Sequence, residues 1–456
     1  MFASPLDEAK TRIMRGELDA AMQVLTKFLN DDFYHAEALF MMGAAMISQG
    51  MNGLGAVLTS AAIDAKQARG EGPYPEALLN LGSAYKAERQ NDMALRIWED
   101  TLKVETLRRE RSKIMTNISG LYVNEGMPEC AIEWCDKALI EDPKNASAHA
   151  NRGMACLELG RWREGWEGWK HTYATGDRTM RDYGDIPYWD GKPDQTVIVW
   201  GDQGIGDEIY YASCLVDMQA RCKKIILDCH PRLPALFKRS FPEMTVYGTR
   251  KDLTELPWLP DCGADAHVAM ADLPGFFRNE GEWNGKPYLE AADIIDRPIS
   301  ELRIGLSWTG GSKRTRKELR SVELNALEPI LRARPDAKWF SLQYTPDAAR
   351  EVCELEEKTG VRISHYPGWV ECYDYDRTAS FVGSLDLVIT VCTTIHHLGG
   401  ALGVPTWTMV PSRASWRYGV SGEKSPWYGS VKLFRQECDG HWNGPIERIA
   451  RELANF

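Results

Sequence analysis

The sequence predicts an α-helical solenoid followed by two α/β units, each a parallel sheet covered by helices. Three observations carry this. Small residues recur every 34 to 39 positions through the first third, a strand–loop–helix rhythm begins at Thr196, and a second such rhythm begins near Arg303. At 456 residues the chain is long enough for about three domains, each with its own core.

The solenoid rests on spacing. Ala9, Gly43, Gly82, Ser119 and Gly153 are 34, 39, 37 and 34 residues apart, and twelve positions after each stands Ala21, Gly55, Ala94, Ala131 or Gly165. Small residues at both places let two helices of one hairpin approach closely. The period is that of the tetratricopeptide repeat, about 34 residues. The segment NISGLYVNEGMPECAIEWCDKALIEDPKN is the fullest copy, with Tyr122, Gly126, Ala131, Ala138 and Pro143 as aromatic, turn, packers and terminator. GEGPYP at 70–75 and LRRER at 107–111 are expected to lengthen connections between helices. About five hairpins over 1–175 leave a concave face suited to an extended peptide or a protein partner, or to a role in assembly.

Residues 176–195, rich in Gly, Pro and Asp, are expected to be a linker. Next come TVIVW, a helix after Asp207, KKIILDC, a helix through LPALFKRSF, MTVYG and AHVAM. These make an N-terminal α/β domain over 196–298. RIGLSW, a helix from Val322 to Arg334, AKWFSLQ, a helix through Lys358, VRISHY, LDLVITV and a helix from Thr394 make a second over 299–456. Ligands collect in the cleft outside the carboxyl ends of such strands.

Composition narrows the chemistry. A formal charge of −11 disfavours a protein that lives on nucleic acid, and scattered cysteines with no C-x-x-C pair suggest neither a zinc ribbon nor a disulfide scaffold. The N-terminus lacks a basic start and apolar run, and no apolar stretch reaches about 18 residues, so a soluble cytoplasmic protein is expected.

Two loops hold the chemistry. GDQGIGDE at 201–208 has the glycines of a phosphate loop, yet its helix opens with Asp207 and Glu208, and carboxylates repel phosphate. Around Thr393 and Thr394 the strand LDLVITV meets a helix start without a carboxylate, a place suited to a diphosphate. Trp308, Thr309, Gly310 and Gly311 follow another strand, and basic residues come next; Lys313 or Arg320 is placed to neutralise a leaving diphosphate. His396 and His397 are adjacent on a helix and diverge by about 100°, so no metal site is expected.

These residues resemble tetratricopeptide-containing glycosyltransferases of the two-domain GT-B fold with Rossmann-like halves, related to the lipopolysaccharide heptosyltransferases (glycosyltransferase family 9) and more remotely to protein O-GlcNAc transferase. The resemblance rests on W-G-x-Q-G-x-G-D at 200–207, G-L-x-W-x-G at 305–310, R-S-V at 320–322, S-L-Q at 341–343, H-L-x-G-A-L-G-x-P at 397–405 and the aromatic tail from Ser415. It implies a hexosyl- or heptosyl-type inverting transfer from a nucleotide-diphosphate sugar to a hydroxyl, without metal or other cofactor.

On this resemblance Asp207 is the general base, with Glu208 the alternative. Gln203, Gly204, Gly206 and Glu208 border the acceptor. Trp308, Thr309, Gly310, Gly311, Gln343, Cys392, Thr393, Thr394 and His397 border the donor, and Arg320 meets the leaving diphosphate. Trp416 is expected to stack on the nucleobase, the other tail aromatics being packing. Cys392 stands where many relatives carry an Asp that holds donor hydroxyls, and a thiol is a poor partner for a sugar. A protein acceptor presented by the repeat arm is the leading expectation. The alternatives are a saccharide or lipid-linked glycan acceptor, and a binding scaffold whose catalysis has lapsed.

Overall fold

A computed structural model describes residues 4–104, 107–250, 256–280, 283, 285–292, 301–311, 316–370 and 373–456. The chain divides into two compact units, Met1–Ala155 and Cys156–Phe456.

The first unit is a tetratricopeptide-like helical repeat. Its helices are α1 (Pro5–Met14), α2 (Leu18–Asp31), α3 (Ala36–Ser48), α4 (Asn52–Ala68), α5 (Pro75–Ala87), α6 (Asn91–Val104), α7 (Arg108–Asn124), α8 (Pro128–Glu141) and α9 (Ala146–Glu158), the last running across the unit boundary. The small residues act as their spacing predicts: Ala9, Ala21, Ala94 and Ala131 are fully buried, and a Cβ on Gly43 or Gly55 would run into the facing helix. Gly50 (φ 82°) and Gly126 (φ 68°) turn the chain between helices in the left-handed region, whereas Arg89 (φ 61°) takes that conformation in the third hairpin without the freedom of glycine. The expected longer connection at LRRER is instead the start of α7, a 17-residue helix that begins at Arg108.

The second unit opens with α10 (Trp162–Trp169) and holds two parallel sheets. The first contains β1 (Thr196–Trp200), β2 (Lys224–Asp228), β3 (Thr245–Tyr247) and β4 (Ala266–Ala269) in the order β3-β2-β1-β4. It carries α11 (Ile205–Tyr211), α12 (Leu215–Gln219), α13 (Pro234–Ser240) and α14 (Pro274–Phe277). The second sheet contains β5 (Arg303–Leu306), β6 (Lys338–Ser341), β7 (Ile363–His365), β8 (Leu387–Val391), β9 (Thr406–Val410) and β10 (Val431–Arg435) in the order β10-β9-β8-β5-β6-β7. With it go α15 (Glu328–Ala333), α16 (Ala348–Thr359), α17 (Pro367–Val370), α18 (Tyr375–Gly383), α19 (Thr394–Leu402) and α20 (Asn443–Leu453).

One continuous apolar cluster joins residues of both sheets' lobes, from Val197 and Leu227 to Leu398 and Leu433. β1 and β8 are buried along their whole length, as expected of parallel strands covered on both faces.

Two boundaries differ from the sequence expectation. The repeat was expected to run to residue 175, but Trp166 and Trp169 of α10 lie in the core of the second unit, against Trp416 at ring distances of 5.4 and 5.9 Å. The expected linker at 176–195 is part of the fold. Arg178 is buried and pairs with Asp202 (2.5 Å) and Asp272 (2.6 Å), while the Trp189 N–H donates to the His267 carbonyl at 2.8 Å. Its Gly and Asp content marks irregular backbone; what anchors it is a buried ion network and edge pairing with β4.

Candidate functional site

The loop after β1 and the start of α19 meet in the second unit. A Cβ on Gly206 would come within 3.1 Å of Thr394 Oγ1 and 3.4 Å of its Cα, so the two lobes approach closely at this point and a larger residue would press on Thr394. Beside the contact lies a cavity of about 690 Å³. From the first lobe Gln203, Gly204, Gly206 and Asp207 line it; from the second, Gly311, Arg320, Cys392, Thr393, Thr394 and His397. Ten of the residues expected at a site therefore share one wall-to-wall space. Arg316 and Arg417 line it too. A second hollow of about 710 Å³ continues from Gly204, Ile205, Tyr344 and Thr394 toward His230, Arg232, Tyr373 and Tyr375.

Asp207 occupies the third position of α11, not its first, because Gly204 is the N-cap. Its Oδ2 accepts the Gly204 N–H at 3.1 Å, the reach-back half of a capping box. Its Oδ1 takes Arg417 Nη2 at 2.6 Å. Glu208, one position on, is 1 % exposed and turned the other way: Arg250 lies 2.6 Å from Oε1, and the His230 N–H donates to Oε2 at 2.8 Å. Burial pushes Glu208 up to about 7 against the pull of Arg250 and the His230 amide. Gly201 makes room for this carboxylate, since a Cβ there would overlap it. Glu208 is thus corrected from an acceptor contact and alternative base to a buried anchor of the loop.

On the facing lobe Thr393 caps α19, its Oγ1 accepting the Ile395 N–H at 3.2 Å. That hydroxyl also lies 3.3 Å from Thr390 Oγ1, and Thr394 lines the cavity beside it. Arg320 Nη1 donates to the Cys392 carbonyl at 3.1 Å and so stands beside the helix start. His397 is buried and held neutral, driven well below the usual histidine range by burial first and by His396, Arg417 and Arg320 next. Its Nδ1 is 3.1 Å from the Tyr428 hydroxyl; when that hydroxyl donates, the ring N–H is on Nε2. His396 packs inward with Nδ1 2.8 Å from Thr408 Oγ1. The Cys392 thiol, 2 % exposed, faces the Met409 carbonyl at 3.8 Å, and burial pushes it up to about 12, so it is a neutral thiol.

Several expected donor contacts have other duties. Gln343 is fully buried; its Oε1 accepts the N–H groups of Trp308 and Thr309, both at 3.1 Å, and Nε2 donates to the Thr309 carbonyl at 3.0 Å. It shapes the loop after β5. Trp308 is core, its indole N–H donating to Glu351 at 2.9 Å, and Thr309 bonds Ser321 at 2.8 Å. Both border a smaller hollow that also contains Lys317, Glu323, Asp347 and Glu351, three carboxylates to one cation, a poor surround for a diphosphate. Gly310 acts by its size, since a Cβ there would strike Thr393. Trp416 is 6 % exposed and enclosed by Trp166, Trp169, Tyr210 and Trp427, so its faces are spent on packing and no nucleobase stacks there. Lys313 lies outside the described residues.

No family model matches the chain. Protein FlbA of Caulobacter vibrioides is 26 % identical over 373 residues, covering 76 % of this chain and 62 % of FlbA. Such a match is longer than the repeat unit and so extends into the α/β unit. Photosystem I assembly protein Ycf3 of Synechococcus sp. (strain CC9311) is 32 % identical over 101 residues, 22 % of this chain and 49 % of Ycf3. The chain thus spans roughly half to three-fifths of these curated relatives. Among solved structures, the crystal structure of MamA aligns with 39 % of this chain and 97 % of its own at 18 % identity and TM-score 0.31. Pseudomonas aeruginosa PilF aligns with 39 % of this chain and 77 % of its own at 16 % identity and TM-score 0.34.

Arg417 was not singled out from the sequence. A lone arginine between Trp416 and Tyr418 carries no spacing signal, and only the fold brings it to Asp207. Among the described residues no group of three or more His, Cys, Asp or Glu could hold a metal, and no helix is long and apolar enough to cross a membrane.

Proposed function

We propose that the chain is a glycosyltransferase of GT-B type that moves a sugar from a nucleotide-diphosphate donor to a hydroxyl, with inversion and without metal. The observation that carries this reading is the cavity itself, with Asp207 on one wall, beside Asp177 and the Arg178-paired Asp202, and Arg316, Arg320, Thr394, His397 and the α19 start on the other. The acceptor oxygen attacks the anomeric carbon while the bond from that carbon to the diphosphate oxygen breaks. The acceptor proton passes to Asp207. Negative charge grows on the diphosphate, where Arg320, the Thr394 hydroxyl and the N-terminal end of α19 stabilise it. His397 is neutral, and with the Tyr428 hydroxyl donating to Nδ1 its Nε2–H serves as a donor that adds no charge of its own.

The tyrosine-lined hollow beyond Tyr344 offers aromatic surface for the nucleoside, the role that Trp416 does not have. The repeat unit is the reason to favour a protein or peptide acceptor, because stacked hairpins present a long concave surface for an extended chain. Cys392 supports a second reading, a lapsed transferase used as a binding scaffold, since its buried thiol supplies no anchor for sugar hydroxyls.

Thermal stabilisation by UDP, ADP, GDP, CDP and dTDP, each with chelator present, tests the first reading. A nucleotide at about 100 times its Kd stabilises by roughly 2.7 kcal/mol. Silence from all five moves the weight to the scaffold. With the nucleotide known, mass spectrometry after incubation with its sugar derivatives separates protein from free-glycan acceptors.

A further inference from the structure

Asp207 and Arg417 form the ion pair at the cavity that the reaction has to open. Arg417 lies on a one-turn helix of the second lobe, Trp416–Tyr418, and reaches across to the first. One nitrogen does all the work there: Nη2 is 2.6 Å from Asp207 Oδ1, 3.3 Å from Gln203 Oε1 and 3.4 Å from the Tyr211 hydroxyl. Nη1 has a long contact to Ser415 Oγ at 3.4 Å, and Nε has no hydrogen-bond partner. A guanidinium has five N–H donors in a planar fork, so Nε and one N–H of Nη1 remain beyond these contacts.

The setting distinguishes this pair from the other ion pairs of the lobe. Arg178 and Asp202 have side chains only 1 % and 2 % exposed although Asp202 also borders the cavity, whereas Arg417 and Asp207 keep 16 % and 29 % and both line it. The Arg417 guanidinium rests over the Trp416 ring at 4.7 Å and near Tyr210 at 5.5 Å, an aromatic seat that does not depend on Asp207. With Arg417 on Oδ1 and the Gly204 N–H on Oδ2, both oxygens of Asp207 are engaged, so an acceptor hydroxyl reaches Oδ1 only when Arg417 moves.

We infer that Arg417 is a positioning residue that exchanges partners: it holds Asp207 Oδ1, and an anionic oxygen group of a bound ligand, phosphate in the first instance, draws it away and frees that oxygen. Loading of the cleft and availability of the base are thereby linked. This inference rests on the reading of Asp207 as the base. It adds that the partner Arg417 takes decides whether Asp207 Oδ1 is open to an acceptor.

Calorimetric titration of the full chain with pyrophosphate, and with whichever of the five nucleoside diphosphates binds, tests the exchange in a four-variant cycle. Asp207→Asn removes the competitor for Arg417 and is expected to tighten binding about tenfold, which is about 1.4 kcal/mol. Arg417→Met is expected to weaken binding about tenfold, and Arg417→Lys to restore part of it. The deciding comparison is Asp207→Asn made on the Arg417→Met chain. Exchange predicts that most of the tightening disappears there, whereas plain charge repulsion by Asp207 predicts equal tightening in both backgrounds and overturns the inference. Arg417→Lys gives the same comparison if Arg417→Met fails to fold. Absence of binding by every probe to the unmodified chain overturns the transferase reading and the exchange together; binding with equal tightening overturns the exchange alone.

Discussion

Two helix starts face each other in the α/β unit, and they solve one electrostatic problem in opposite ways. At α11 the positive end is met from within: Asp207 takes the Gly204 amide, and the chain brings its own carboxylate. At α19 a neutral hydroxyl, Thr393, takes one amide and leaves the positive end without a charge of its own, beside Arg320. A helix start that carries its counter-charge is suited to proton chemistry. One that lacks it is suited to an incoming anion.

The contrast is broken most severely at the carboxylate. Asp207→Asn is expected to lower turnover about 10²- to 10⁴-fold once a donor and acceptor are in hand, while nucleotide binding persists; turnover near that of the unmodified chain would place the base elsewhere. Next comes the anchor of the first loop. Arg178→Met leaves Asp202 and Asp272 buried without their partner and is expected to cost about 3–5 kcal/mol in denaturant unfolding.

Glu208 gives the first loop a pH dependence. Burial raises it from its ordinary 4.5 to about 7, so between those values the folded chain holds a proton that the unfolded chain has released. Its contribution therefore makes stability fall as pH rises from 4.5 to 7, by on the order of 3 kcal/mol. The difference in unfolding free energy between the unmodified chain and Glu208→Gln, followed across that range, isolates this slope.

On the second helix start, Arg320→Met is expected to weaken nucleoside diphosphate binding roughly 10- to 100-fold, the scale of one charged hydrogen-bonding partner, with calorimetry as the check. The smallest effect is at the cap: Thr393→Ala is expected to cost about 1 kcal/mol of stability.

Much of this was legible in the sequence, for reasons that differ by region. The hairpins were visible because close helix approach tolerates only Gly, Ala or Ser, and Gly43, Gly55 and Ala94 recur where that contact falls. Strands such as LVITV were visible because both faces are buried and the run is apolar throughout. The segment at 176–195 was misread since polar composition signals a loop, and a buried Arg178 with two carboxylates looks the same in sequence as three solvated charges. Gln343 and Trp308 stand beside functional loops, but support and contact have the same adjacency in sequence; only burial tells them apart. Arg417 joins its partner across 210 positions, a distance that no local pattern spans.

Gly201 and Glu208 carry a consequence for descent. Because any side chain at 201 would occupy the space of the 208 carboxylate, the two positions amount to one inherited character. Homologues that keep the acid at 208 are expected to keep glycine at 201, whereas Arg250, which also donates to the Gln203 carbonyl at 2.6 Å, has a second reason to persist.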